Sequence, residues 1–344
     1  MSTRNQRESS GIKLILDSDT STGVLGAEID DGFAILACLA LHKLGRIQLL
    51  GITEVAGNTS VDQGVLCALK ILEMTGYEDM PVYRGVDKPL VLERKPPFNP
   101  ERVSEPLGGD PKIQVQQEHA VDFIIRKVRE SPGQVTIVPI GPLMNIALAI
   151  RKDPGIVALV REIVAMGGEF NGTFFPGGFN WWFCPHSARI VLRAGIPITI
   201  VPMDVTVKTA LTLKQLNSLG EGELVNWLKR ASEPFMTHKV GEEKAAYLHD
   251  PLAVAIAVDK TIATQSRKLY VDTIIGGPWA GMTIGQETTL GWAPPWGEIP
   301  TGRIKKAQVV IEHDNTRYVS LYLDAIRVLL KDRKGGGRIK VSQD

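Results

Sequence analysis

Cysteine is scarce in this chain: Cys38, Cys67 and Cys184 are the only three among 344 residues, an odd number at wide spacings. That excludes the even-numbered framework of a disulfide-stapled secreted domain, and reduced, partly buried thiols of an intracellular protein are expected. Long apolar runs are missing as well. None reaches the roughly 18 residues of a membrane helix, because Asp, Arg or Gly interrupts each one. Residues 1–11 are polar with no apolar centre, which excludes a secretory signal of the usual design. A cytoplasmic location without a membrane partner is expected. Nor does one sign of charge dominate, since 39 Lys and Arg oppose 38 Asp and Glu and are scattered along the chain. No nucleic-acid partner is expected, because phosphate-backbone binding needs a basic surface. A small molecule is the expected partner.

What the chain does have is 44% hydrophobic residues with no break in composition, enough for one large domain over residues 12–330. Residues 1–11 are expected to be disordered. Residues 331–344, with Gly335, Gly336 and Gly337 in a row, are expected to form a flexible tail. Apolar periodicity predicts strands at residues 13–16, 47–55, 82–84, 134–139, 162–166 and 198–201. Helical spacing alternates with them at 31–44, 61–75, 119–130, 142–152 and 185–193. Such alternation indicates an α/β fold, a parallel sheet covered by helices. Residues 214–258 read as more helical, followed by strands at 268–274 and 305–311 and a helix at 318–330. The Pro-, Gly- and charge-rich segment 88–117 has the length of a loop that covers a site.

Ligands of open α/β sheets bind beyond the carboxyl ends of the strands. The first strand ends in Asp17-Ser18-Asp19, and Asp30-Asp31 opens the next helix. Four carboxylates gathered there repel one another, and a hard divalent cation is the natural remedy. A solvated loop with helix-capping aspartates is the plainer reading of these residues. Asp250, at another helix start in His249-Asp250-Pro251, shifts the balance toward a metal site.

Asp17-Ser18-Asp19 with Asp30-Asp31, then Val55-Ala56-Gly57-Asn58, Pro139-Ile140-Gly141-Pro142-Leu143-Met144-Asn145, Met166-Gly167-Gly168, Phe179-Asn180 and His249-Asp250-Pro251 appear in a fixed order. This ordered set resembles the inosine-uridine-type nucleoside hydrolase family over about residues 12–330. The resemblance implies a Rossmann-like, mixed but mostly parallel sheet flanked by helices. It also implies a tightly bound Ca2+ ion, a homodimer or homotetramer, and hydrolysis of the N-glycosidic bond of a ribonucleoside, purine or pyrimidine, or a modified form of one. Carried over by position, Asp19, Asp31 and Asp250 ligate the metal by side chain and Ile140 by its carbonyl. Asp19 also takes the proton of the attacking water, and Asp17 supports the cluster from behind.

Asp30, Asn58 and Asn180 then grip ribose hydroxyls, with Met166 and Asn171 as further substrate-binding residues. His249 stands near the base as proton donor, a role its pKa range suits, with His238 and Tyr247 as helpers. Trp279, Trp292 and Trp296 are candidates for stacking on a purine, or for core and interface positions.

Two departures from the family pattern stand out. Residues 20–29 make the loop between Asp19 and Asp30 about seven residues longer than the common form, with Ser21 and Gly23 placed to cap or bend it and Glu28 as an extra carboxylate. The glutamate that usually precedes Phe-Asn and contacts ribose is replaced by Gly178. Glu169 is a candidate substitute. Cys184-Pro185-His186-Ser187 also replaces a more acidic pattern, so the substrate is expected to differ from inosine or uridine. Two alternatives remain: a haloacid-dehalogenase-type phosphatase with Asp17 as nucleophile, and a non-catalytic metal- and nucleoside-binding protein on the same scaffold.

Overall fold

The computed structural model describes residues 11–97, 107–172, 177–240, 242–287 and 304–332. Residues 1–10 and 333–344, Trp292, Trp296, the centre of the long loop and the side chain of His238 lie outside the described residues, and with them most of the expected disordered ends.

The chain alternates strand and helix from the start: β1 (Ile12–Ser18), α1 (Asp30–Lys43), β2 (Ile47–Glu54), α2 (Val61–Thr75), β3 (Val82–Arg84), α3 (Ala120–Glu130), β4 (Val135–Pro139), α4 (Met144–Lys152) and β5 (Glu162–Met166). It continues through α5 (Phe179–Phe183), α6 (Pro185–Ala194), β6 (Ile198–Val201) and α7 (Met203–Thr206). Next come β7 (Leu211–Thr212), α8 (Leu213–Asn217), α9 (Glu223–Ser232), β8 (His238–Val240), β9 (Glu243–Ala246) and α10 (His249–Val258). The last elements are β10 (Ala263–Thr273), β11 (Thr283–Gln286), β12 (Lys306–His313) and α11 (Asn315–Asp332).

Nine strands form one sheet in the order β11-β10-β12-β6-β5-β4-β1-β2-β3. The run from β12 to β3 is parallel, whereas β10 is antiparallel to both β12 and β11. The sheet is therefore mixed and mostly parallel, with helices on it, as expected. Central strands lie covered on both faces, which suits their unbroken apolar runs such as Leu14-Ile15-Leu16, all fully buried. Helices α1 and α10 are apolar almost all round and buried accordingly, packing against each other.

Strand order reverses between β1 and β4, whose chains leave in opposite directions along the sheet. A crevice opens at such a point. Asp17 pairs with Pro139 across it.

The expected helical character of 214–258 needs correction. Besides α8 and α9 the segment holds β8 and β9, which pair antiparallel and join β7 in a second, three-stranded sheet. Strands of three and four residues rich in Lys and Glu are too short to display a period of two. The last helix starts before the predicted 318, because the Asp314 carboxylate accepts from Arg317 N at 3.0 Å and caps the turn. It runs on to Asp332, so residues 331 and 332 are helix rather than tail. The three cysteines are free and buried. No described helix is long and apolar enough to cross a membrane.

Candidate active site at the strand crossover

β1 brings Asp17 into a fully buried position, where Oδ1 accepts hydrogen bonds from Thr53 Oγ1 at 2.6 Å and Asn145 Nδ2 at 2.7 Å. Asn145 also donates to Glu54 O at 3.1 Å and accepts from Val86 N at 2.9 Å. Asp17 thus ties three strand ends together from behind the site.

Two residues on, Asp19 is 1% exposed. Its Oδ2 accepts from Asn58 N at 2.8 Å, while its Oδ1 is buried without a hydrogen-bond partner. The turns after β2 and β4 close on this carboxylate through glycines. A Cβ at Gly141 would lie 2.7 Å from Asp19 Oδ1, and one at Gly57 would overlap Oδ2. Only glycine lets both backbones approach so closely.

The N-termini of α1 and α10 converge beside Asp19. Asp30 and Asp31 occupy the first turn of α1, and Asp250 that of α10. Asp30 Oδ2 accepts from His249 N at 3.1 Å and Asp250 N at 3.4 Å, so one helix caps the other. Asp31 accepts from Ser18 Oγ at 2.8 Å and Asn58 Nδ2 at 3.1 Å. One carboxylate oxygen each from Asp30, Asp31 and Asp250 lies within 4.8 Å of the others, all three residues buried. Asp19, expected as a ligand, stands outside this trio, with its unpartnered oxygen in the same acidic cluster.

Burial raises every one of these acids, and repulsion between carboxylates adds to it at Asp19, Asp31 and Asp250. Burial lifts Asp17 to about 7. Burial and the charge of Asp30 bring Asp31 to about 7, and burial alone sets Asp30 at about 6 despite its backbone hydrogen bonds. Asp19 and Asp250 are raised well above the usual carboxylate range by burial and neighbouring carboxylates. Among the described residues no lysine or arginine forms a salt bridge with any of them. Buried acids without a cationic partner and with an orphaned oxygen fit an all-oxygen site for a hard divalent cation.

Above the carboxylates lies a pocket lined by Glu28, Asp30, Asn58, Ile140, Met166, Gly167, Gly178, Phe179, Asn180, Met203, His249 and Asp250. The structure therefore gathers Asp30, Asn58, Ile140, Met166, Asn180, His249 and Asp250 from six separate stretches of sequence. Asn180 Nδ2 donates to Ile140 O at 2.6 Å, orienting the carbonyl proposed as a ligand. His249 Nδ1 shares a 2.7 Å hydrogen bond with Thr206 Oγ1.

Asn171 is not brought in. It is exposed, and its backbone N–H donates to Asp204 Oδ1 at 3.0 Å, because Asp204 holds this turn outward. Glu169 is buried but does not line the pocket. Trp279 is 62% exposed, and Tyr247 does not line the pocket, its ring lying beside that of His249 with centroids 5.8 Å apart. Sequence reasoning passed over Phe179, Met203 and Thr206. Phe179 carried a signal as the neighbour of Asn180; Met203 and Thr206 carried none, since the short helix α7 has no periodicity to read.

The profile of the inosine-uridine preferring nucleoside hydrolases matches residues 14–320. An uncharacterized protein of Schizosaccharomyces pombe is 36% identical over 260 residues, 71% of this chain and 79% of its own. The pyrimidine-specific ribonucleoside hydrolase RihB of Escherichia coli is 32% identical over 286 residues, 80% of this chain and 87% of its own. A solved plant nucleoside hydrolase superposes with a TM-score of 0.77 at 26% identity, covering 92% of this chain and 99% of that one. The purine-preferring ribonucleoside hydrolase of Gardnerella vaginalis gives 0.74 at 30% identity, covering 93% and 99%. These similarities favour neither a phosphatase nor a non-catalytic binder. By profile, sequence and fold, the chain belongs to the inosine-uridine preferring nucleoside hydrolase family and is an N-ribosyl hydrolase.

Proposed function

We propose that the chain hydrolyses a purine or pyrimidine ribonucleoside to free base and ribose, with Asp19 as the general base for the attacking water. The observation that carries this reading is Asp19 Oδ1, a buried carboxylate oxygen without a partner beside three clustered carboxylates. A divalent cation held by Asp31, Asp250 and their neighbours, calcium by the family resemblance, would neutralise these acids and polarise the attacking water.

Breaking the C1′–N bond leaves positive charge on the ribose ring, so the sugar must be gripped and the base must leave. Asn58, Asn180 and Asp30 line the pocket with donors and acceptors suited to ribose hydroxyls. His249 lines it from the start of α10. Thr206 Oγ1 shares a hydrogen bond with Nδ1; the tautomer in which the hydroxyl donates would carry its hydrogen on Nε2, where it could be offered to the departing base. The planar ring of Phe179 is the described aromatic surface against which a base can lie. The reading extends to a homodimer or homotetramer, measurable by light scattering, and to a reducing compartment such as the cytoplasm, in keeping with three free thiols.

The test is a panel of purine and pyrimidine ribonucleosides incubated with purified, calcium-loaded protein, read as reducing sugar released. Turnover of at least one is expected. Phosphate release from phosphomonoesters, or no turnover of any ribosyl compound, would sink the proposal.

A further inference from the structure

Gly178 has φ +74° and ψ 156°, a backbone conformation that L side chains rarely adopt. A ribose-binding carboxylate at this position would be strained, so the glycine is built into the local fold and not a simple side-chain deletion. Meanwhile the long segment between β1 and α1 is a tied structure. Ser21 Oγ donates to Glu28 O and Thr22 Oγ1 to Ile29 O, both at 2.8 Å, while Gly32 N donates to Thr22 Oγ1 at 3.0 Å. Val24 N and Ala27 N close successive turns on Ser21 O and Val24 O, and Leu107 N clamps Gly23 O from the long loop. Ser21 and Thr22 are both fully buried.

What this scaffold presents to the pocket is Glu28. It is half-buried and lines the same cavity as Gly178, Asn180 and Asn58. It stands outside the trio of carboxylates whose oxygens meet within ligand distance. We propose that Glu28 is a substrate-binding residue, accepting a hydrogen bond from a ribose hydroxyl and so supplying from the β1–α1 segment the carboxylate that position 178 lacks. This inference rests on the ribonucleoside hydrolase reading. A carboxyl group suits a hydroxyl-rich ligand, because its two oxygens offer several acceptor positions to O–H donors. Asn58, whose Nδ2 donates to Asp31 Oδ2 at 3.1 Å, lines the same cavity, so Glu28 shares its pocket with a residue assigned to the same sugar.

The experiment is a cycle between residue and substrate. Glu28→Gln, which keeps the size, and Glu28→Ala are assayed on one accepted ribonucleoside and on its 2′-deoxy, 3′-deoxy and 5′-deoxy analogues. Each variant should lose about 10- to 100-fold in kcat/KM on the parent nucleoside. On the analogue lacking the gripped hydroxyl, wild type and variants should agree within about twofold. Calcium affinity, measured by titration calorimetry, should stay within about twofold as well. Equal losses on all three analogues, no loss on the parent, or a parallel loss of calcium would overturn the assignment of Glu28. If the unsubstituted protein cleaves no ribonucleoside, the hydrolase reading falls and takes this inference with it, a different result from an active enzyme indifferent to Glu28.

Discussion

In the proposed reaction Asp19 and His249 have opposite tasks, one to take a proton and one to give it, and each has a hydrogen-bonding neighbour that orients it. Asn58 N occupies Asp19 Oδ2 and leaves Oδ1 free. Asp19→Ala is expected to lower kcat by roughly 10³-fold, within the usual range for a lost general base, as single-turnover kinetics would show. Asp250→Ala should abolish activity by a different route, with calcium affinity lost in the same titration. Thr206 is a positioning residue for His249, through the 2.7 Å contact to Nδ1. Thr206→Val removes that hydroxyl and with it the hydrogen bond at Nδ1 that selects the imidazole tautomer. The expected result is a fall of about tenfold in kcat with natural nucleosides and KM nearly unchanged. Hydrolysis of p-nitrophenyl riboside, whose leaving group departs without a proton, should not change; an equal fall there would mean that Thr206 only supports the fold.

At the scale of elements, the site is made by turns at strand ends. The reach of those turns explains the glycines in the Ala56-Gly57-Asn58 and Ile140-Gly141-Pro142 motifs. Gly57→Ala would push a methyl into Asp19 Oδ2, so activity should drop at least tenfold with the far-ultraviolet circular dichroism unchanged; full activity would show that the turn can shift. The central strands and long helices were legible in the sequence because each buries a long apolar face: α2 and β5 fall on their predicted bounds. The hairpin of β8 and β9 and the edge strand β11 were not, being only three or four residues long. The site followed the same division. Asp19, Asp31, Asn58, Ile140, Asn180 and Asp250 were readable as pieces of ordered motifs. Asn171 lies outside the pocket lining, where Phe170 N and Asn171 N donate to Asp204, a partner more than thirty residues away that sequence spacing does not reveal.

The whole molecule concentrates its acid where two helix N-termini and one strand end meet, and that arrangement links folding to protons and to a cation. In the cation-free protein, burial holds Asp30 near 6 and Asp31 near 7, above the 3.8 of an unperturbed aspartate. A group raised on folding favours the folded state most below its unfolded pKa, and that contribution is lost as pH rises through the folded value. The cation-free protein therefore loses stability from these acids between about pH 4 and 7. A bound cation reverses the direction: it needs the carboxylates ionised, so at low pH it must displace their protons. The gap in Tm between excess calcium and excess chelator should accordingly widen as pH rises from about 5.5 to 8, since stabilisation follows the apparent affinity. Melting curves at both pH values, each with calcium and with chelator, measure the gap directly, and subtraction removes every titration remote from the site. A gap equal at both values would mean that the acids under the pocket are already ionised without a cation, and that their burial is compensated by something other than a metal.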